Sequence, residues 1–436
     1  MSLIYTMARP AAKTLAKRQL EEGLKDPDAY RKKVKELQAK PLPLDRLHKQ
    51  YAFEQEYADG TVYYRIRSHT ADGKHVILYF HGGGYCRPLK TGDFEFGEEM
   101  ADETGADVWL VNYALFPDAT GMEITASAVS AYRKALLEYE AENISFYGNS
   151  AGGALCFAVC IYLRKYLPGV PLPGSIVSHS PSIRIPAAAK EQEKMNLLDP
   201  LDIILPAGFV NLYTERTDIF QSGGFEEFAS PIDADWHGFP PMLAVFGTDE
   251  VFLAYLPGMI EKCRKDGVEL ETYVGKGCHC YCAKGILPEA HEGRERIYAY
   301  LRGVRRPEEK LSTDLKEALR RNQKKELDAV VMYRMLADRM GPGKEAEALR
   351  RLAADERRHA KVFEKITGKK EKPDRLQADA ICLMYQTLGK ERLFRLMAKG
   401  ENDAACRYVP LGILFPQIER IRQEEQKHAQ ALLSLL

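Results

Sequence analysis

Six short runs of apolar and β-branched residues punctuate the first three hundred positions: "HVILYF" (75–80), "DVWLVNY" (107–113), "ISFYG" (144–148), "GSIVSHS" (174–180), "MLAVFG" (242–247) and "LETYVG" (270–275). Helix-like segments separate them. Near-continuous apolar strands alternating with helices predict a mostly parallel sheet covered on both faces. Ahead of them, "YAFEQEYA" and "TVYYRIRSH" alternate apolar with polar positions around Asp59-Gly60, which predicts a β-hairpin. The first forty or so residues read as helix and close at "KPLPLD". A longer insertion, 185–240, carries helical pieces and several prolines, and is a candidate cap. Beyond "LRGVRRPEEK" (301–310) the strand pattern stops and Leu, Ala, Glu, Arg and Lys dominate. Breaks at "GPGK" (341–344), "GKKEKPD" (368–374), Gly389 and "VPLG" (409–412) divide this tail into four helices, with the third also interrupted at Gly400. The expected organisation is a helical segment over 1–48, an α/β domain over 49–305 and an all-α four-helix bundle over 312–436.

Two glycine-rich turns follow strand-like runs. "FYGNSAGG" (146–153) holds the pattern G-x-S-x-G between "ISFY" and the helical "ALCFAVCIYL". A serine on such a sharp strand-to-helix turn exposes its hydroxyl at the top of the sheet, so Ser150 is the candidate nucleophile. "YFHGGGYCRP" (79–88) ends another strand with three glycines. Acyl transfer creates an oxyanion that backbone N–H groups must hold, and glycines let the backbone come close enough. Gly82, Gly83 and Gly84 fit that need, and the amides of Gly83, Gly84 and Ala151 are the expected donors. His81 reads as a residue that holds the loop.

The base and its orienting acid are expected in the order Ser, Asp, His. "AVFGTDEVF" places Asp249 at a strand end, with Glu250 as its competitor one position on. "YVGKGCHCYC" places His279 just past the next strand, a position that His179, His237 and His291 do not share. The triad expected is therefore Ser150, His279 and Asp249. Cys278, Cys280 and Cys282 flank the histidine, but C-x-C-x-C lacks a second ligand pair at zinc spacing.

With these residues in place, the stretch 50–305 resembles the hormone-sensitive-lipase family of α/β-hydrolases, the esterases with an HGGG loop. The resemblance rests on "HGGGY", "VNYALFPDA", "GNSAGG", "SPIDADWHGFPPML" and "GCHCY". It implies the α/β-hydrolase fold, a helical cap built from the N-terminal helices and the 185–240 insertion, and hydrolysis of esters without a cofactor. Asn149 stands where the family usually has Asp. Short acyl esters are the expected substrates.

The tail contains an internal repeat. "ELDAVVMY" gives Glu326, Ala329 and Tyr333, followed by "DERRH" with Glu356 and His359. "ENDAACRY" gives Glu401, Ala404 and Tyr408, followed by "EEQKH" with Glu425 and His428. Positions i, i+3 and i+7 share one helix face, so a bundle using these faces gathers four carboxylates and two imidazoles, the ligand set of a di-iron or di-manganese site. This half resembles the rubrerythrin branch of the ferritin-like proteins. The resemblance implies two iron ions, reaction with peroxide or oxygen, and bridging by Glu356 and Glu425. No C-x-x-C pair accompanies it, so an external electron donor is expected.

Charge narrows the partners. The 62 basic residues balance the 62 acidic ones, giving no electrostatic reason to expect nucleic acid or an anionic membrane. The longest apolar stretch is too short to span a bilayer. Nine scattered cysteines suit reduced thiols in a cytoplasmic protein. The reading that follows is a serine carboxylesterase fused to a di-iron domain. Two alternatives are an iron protein, peroxide-reducing or iron-oxidising, with an accessory hydrolase, and a helical domain that serves homodimeric assembly.

Overall fold

The computed structural model describes residues 17–69, 73–210, 225–284, 287–305 and 310–436. Residues 1–16 of the expected N-terminal helical segment and 211–224 of the expected insertion lie outside that set. The chain forms two compact units, Met1–Ser312 and Thr313–Leu436.

The first unit is built on one sheet of nine strands in the order β1-β2-β4-β3-β5-β6-β7-β8-β9. β1 (Glu54–Ala58) and β2 (Thr61–Ile66) form a hairpin in which Asp59 and Gly60 both take positive φ, 46° and 84°. That is the backbone a two-residue turn of matching twist requires. β2 pairs antiparallel with β4 (Asp107–Asn112), and from there every pairing is parallel: β3 (Val76–Phe80), β5 (Ile144–Asn149), β6 (Ser175–His179), β7 (Met242–Asp249), β8 (Leu270–Cys278) and the two-residue β9 (Lys310–Leu311). All residues of β3, β6 and β7 are buried, as expected of strands covered on both faces.

The connecting helices are α4 (Thr91–Thr104), α5 (Gly121–Ala135), α6 (Ala151–Tyr166), α7 (Ala189–Leu198), α8 (Leu256–Asp266) and α9 (Ala290–Leu301), preceded by α1 (Arg18–Lys25), α2 (Pro27–Gln38) and the short α3 (Leu44–Leu47). Parallel strands point their carboxyl ends to one edge of the sheet, where ligands of open α/β sheets bind. The loops after β3, β5, β7 and β8 all open there. Lys17, just before α1, is 1% exposed; its ammonium donates to the carbonyl of Asp202 at 3.1 Å and pairs with the Asp199 carboxylate at 3.1 Å. The N-terminal helices are thereby tied to the inserted segment.

The second unit consists of α10 (Thr313–Met340), α11 (Lys344–Thr367), α12 (Leu376–Leu414) and α13 (Pro416–Ser434). α12 is broken at Gly389 (φ 77°, ψ 172°). The expected breaks at Gly400 and at "VPLG" do not occur. Helix continues through both to Leu414, because Val409, Pro410, Leu411 and Ile413 are buried in the bundle and tertiary packing outweighs local propensity. The chain instead turns at Phe415, and Pro416 opens the last helix.

Glycine at 152 is a packing requirement. A Cβ there would collide with the carbonyl oxygen of Phe80 at the end of β3. Gly152→Ala is expected to destabilise the first unit by about 2–4 kcal/mol, whereas Gly169→Ala, in open space, changes it by less than about 0.5 kcal/mol. Urea unfolding of both variants checks this; equal midpoints contradict the close approach.

Candidate active site and candidate metal centre

Ser150 sits between β5 and α6 with φ 54° and ψ −120°, a backbone that a non-glycine residue holds only when its surroundings over-determine it. A side chain at Gly148 would strike the carbonyl of Gly152, so strand and helix meet only because both positions lack one. The Ser150 amide donates to the His179 carbonyl at 2.8 Å. Its Oγ lies 2.9 Å from Nε2 of His279, and Nδ1 of the same ring lies 2.7 Å from Oε2 of Glu250.

The carboxylate on the histidine is thus Glu250, and the expectation of Asp249 is corrected. Asp249 is the last residue of β7 and its side chain pairs with Lys276, while the Thr248 hydroxyl donates to it at 3.1 Å. Neighbouring side chains on extended backbone point to opposite sides. The register shift between Gly247 and Asp249 sets which of the two faces His279. Glu250 then accepts the Gly247 amide at 2.6 Å and the Ser180 hydroxyl at 2.9 Å on Oε1. Burial, with Asp202 adding to it, pushes the Glu250 carboxyl well up, against the pull of the Gly247 amide, Ser180 and Lys284. Gly247 and Ser180 present donors to the carboxyl, so the ionised form is the one this pocket satisfies.

Asp202, in the inserted segment, had no sequence motif to mark it. It is fully buried, accepts the amides of Ile204 and Leu205 on one oxygen, and accepts the amide of Val251 at 2.8 Å on the other. It fixes the residue that follows Glu250.

At the glycine loop, Gly83 (φ 115°) and Gly84 (φ 64°) adopt backbone that side chains resist. A Cβ on Gly82 would come within 2.6 Å of Asn149 Oδ1 and 3.2 Å of Ser150 Cβ. His81 stacks on Tyr113 with ring centres 4.3 Å apart, and its Nδ1 lies 2.8 Å from the Gly82 carbonyl. It braces the loop and does not reach Ser150. Ala151 is the first residue of α6, where helix amides have no intrahelical partner. A cavity of about 450 Å³ opens onto Gly82, Gly83, Gly84, Ser150 and His279, walled by Leu20 and Tyr30 from α1 and α2 and by Ile204, Leu205 and Phe209 from the insertion. Of the three cysteines around His279, Cys278 and Cys282 are buried; only Cys280 lines the cavity, with Sγ 3.5 Å from Nε2 of His279.

The second unit gathers Glu326, Glu356, His359 and Glu425 into one group whose ligand atoms lie within 4.8 Å of one another, and Glu356, Glu401, Glu425 and His428 into another. All six residues are buried, and Glu356 and Glu425 belong to both groups. The imidazoles stack at 5.5 Å. His359 Nδ1 and Glu425 Oε1 are 3.0 Å apart, yet neither has a hydrogen-bond partner among the described residues. Burial pushes Glu356 up to about 8 and Glu425 up to about 11. Burial pulls His428 down, but Glu356 and Glu401 outweigh it and raise it to about 10. With all four carboxylates ionised and both imidazoles neutral, the form in which they ligate metal, the set carries four negative charges, which two divalent cations would balance. The donor set fits two iron or manganese ions.

Two sets of supporting contacts cross between the repeats. Tyr333 donates to Glu401 and Tyr408 to Glu326. Glu424 lies 2.7 Å from His359 Nε2, and Asp355 lies 3.5 Å from His428 Nε2. Such partners fix the ring that a metal-ligating histidine presents. The tyrosines stand in the repeat already read from the sequence, and the signal for Asp355 and Glu424 is the acidic residue directly before the ligand glutamate in both "DERRH" and "EEQKH".

A serine–histidine–carboxylate relay at the carboxyl edge of a parallel sheet defines an α/β-hydrolase, and paired Glu-x-x-His helices define a ferritin-like bundle. The comparisons agree. Residues 77–283 match the family model described as alpha/beta hydrolase fold, and residues 317–395 match that of Rubrerythrin. The hormone-sensitive lipase of Ictidomys tridecemlineatus is 31% identical over 137 residues, 30% of this chain and 18% of that protein. The acetyl-hydrolase of Streptomyces hygroscopicus is 29% identical over 245 residues, 54% of this chain and 78% of that one. The crystal structure of an esterase from the bacterial hormone-sensitive lipase family superimposes with a TM-score of 0.51 at 26% identity, covering 62% of this chain and 88% of that one. The match spans less than a fifth of the hormone-sensitive lipase. The chain joins an α/β-hydrolase domain with hormone-sensitive-lipase relatives to a C-terminal rubrerythrin domain. No helix among the described residues is long and apolar enough to cross a membrane.

Metal removal follows from the charge balance. Protein loaded with ferrous iron under anaerobic conditions is expected to hold about two ions per chain and to unfold at a temperature several degrees above the chelated form. Glu356→Ala and Glu425→Ala, each removing a carboxylate common to both groups, are expected to abolish that shift. Elemental analysis with calorimetry decides it: an unshifted transition on iron addition rules the site out.

Proposed function

We propose that this chain is a serine carboxylesterase in which Ser150, His279 and Glu250 perform acyl transfer on short-chain esters. The observation that carries this reading is the unbroken relay from Ser150 Oγ through both nitrogens of His279 to Glu250. Ser150 Oγ attacks the ester carbonyl as His279 Nε2 takes its proton. The imidazolium so formed keeps its Nδ1 proton directed at Glu250, which holds the ring in the tautomer needed. The amides of Gly83, Gly84 and Ala151 receive the oxyanion, and His279 returns its proton to the leaving alcohol. Water, deprotonated by the same ring, then releases the acid. The cavity of about 450 Å³ suits a small ester.

In the helical unit Glu326, Glu356, His359, Glu401, Glu425 and His428 would hold two iron ions, or manganese in their place. Such a pair, when bound, supplies redox chemistry with peroxide or oxygen, drawing electrons from an external donor. Tyr333 and Tyr408 fix Glu401 and Glu326, and Asp355 and Glu424 fix the rings. Residence in the cytoplasm belongs to the same reading, with all nine cysteines free of disulfides, as does dimerisation through the helical unit.

Hydrolysis of para-nitrophenyl esters of increasing acyl length tests the esterase. Activity is expected to be greatest on short chains, and Ser150→Ala to lower kcat by about 10⁴-fold or more. Residual activity equal to wild type would falsify Ser150 as nucleophile. Two neighbouring substitutions separate the carboxylates. Glu250→Gln is expected to lower kcat by about 10²–10⁴-fold, and Asp249→Asn by less than about tenfold. The reverse ranking returns the role to Asp249.

A further inference from the structure

The wall of the Ser150 cavity carries three cationic side chains that the chemistry above leaves unused. Arg87 and Lys90 lie on the loop that continues from the glycines, and Lys284 lies just past His279. They therefore flank the nucleophile from the glycine-loop side and from the histidine side. Neither the Arg87 guanidinium nor the Lys90 ammonium has an ion-pair partner among the described residues, and both side chains are exposed to the cavity mouth. The Lys284 ammonium donates to the carbonyls of His279 and Cys280, and its charge also acts on the buried Glu250. Among the described residues of the cavity wall one acidic residue stands against these three, Asp93. It is 5% exposed and already accepts the Tyr79 hydroxyl at 3.1 Å and the Lys90 amide at 2.9 Å. Glu250 and Asp202 are buried behind His279 and do not line the cavity. In a chain of zero formal net charge, a partly enclosed cleft with this excess of cations focuses a positive potential on the approaching substrate.

We propose that the ester taken at Ser150 carries a carboxylate in addition to the bond that is cleaved. This rests on the esterase reading and names the substrate class for it: a half-ester of a dicarboxylic acid, or an acyl ester of a hydroxy acid. Arg87 and Lys90 are placed to receive that carboxylate while Gly83, Gly84 and Ala151 receive the oxyanion, and Lys284 adds its charge from beside the histidine loop. No covalent step is added; the second anion is bound and released unchanged.

Matched pairs of esters test it on the full-length protein. One pair places the charge on the acyl side, para-nitrophenyl hydrogen adipate against para-nitrophenyl hexanoate. The other places it on the alcohol side, 3-acetoxybenzoate against its methyl ester. In at least one pair the anionic ester is expected to have a kcat/KM about fivefold or more above its neutral twin at low salt. That advantage is expected to shrink as ionic strength rises from about 20 mM to about 500 mM. Arg87→Gln and Lys90→Gln are each expected to lower the anionic-to-neutral ratio about threefold or more, a quantity that a general loss of folded protein does not move. Which pair responds identifies the side that carries the charge. Neutral twins favoured in both pairs, or a ratio indifferent to salt and to both substitutions, overturn the proposal while leaving the esterase standing. No Ser150-dependent cleavage of any of the four esters overturns both.

Discussion

The contact on which the hydrolase unit depends is the approach of the first turn of α6 to the end of β3. Gly152 lies against the carbonyl of Phe80, and Gly148 lies against the carbonyl of Gly152. With those distances fixed, the single residue left to reverse direction between strand and helix is Ser150, and it must take a positive φ. The strain is local and is stabilised by the buried packing of β3, β5 and α6 around it. The same contact brings the glycine loop beside the hydroxyl, since that loop continues directly from β3. Nucleophile and oxyanion donors are thus positioned by one piece of backbone packing.

The carboxylate shows a different kind of constraint. Glu250 is fully buried, and an ion there is tolerable only where both of its oxygens find donors. The Gly247 amide, the Ser180 hydroxyl and His279 supply them. Ser180 itself accepts the Cys280 amide at 3.2 Å, which orients its own hydroxyl toward Glu250 and links the acid loop to the histidine loop. Asp202 then holds the amide of Val251 from the inserted segment. An insertion that reads as a cap in the sequence is therefore also a support for the relay beneath it.

These particulars explain what could be read from the chain and what could not. Ser150 and His279 are recoverable because small-residue turns and strand ends are local features, and the sheet's parallel order places them at one edge. Asp249 and Glu250 are adjacent, and the choice between them depends on a register shift at the end of β7 that no local pattern records. In the tail, Glu326, Glu356, His359, Glu401, Glu425 and His428 follow from helical periodicity, which is fixed by geometry within one helix. The contacts of Tyr333, Tyr408, Asp355 and Glu424 depend on how one helix meets another, and spacing along a single helix does not set that. Gly400 and Pro410 mislead for the same reason: their local preference is overridden by burial contributed from other helices.

The crossed pattern in the helical unit carries one more physical consequence. Each repeat's tyrosine and each repeat's preceding acid act on the other repeat's ligands, so neither half can present a finished set of donors by itself. A half-bundle would present Glu-x-x-His to water without the partners that orient the ring. Docking of the two halves therefore assembles ligands and their supports in one step. The carboxylate excess that remains after docking is the part that cations must answer, and His359 Nδ1 and Glu425 Oε1 mark where they would do so. The charge these carboxylates carry once deprotonated is the charge that two divalent ions would balance.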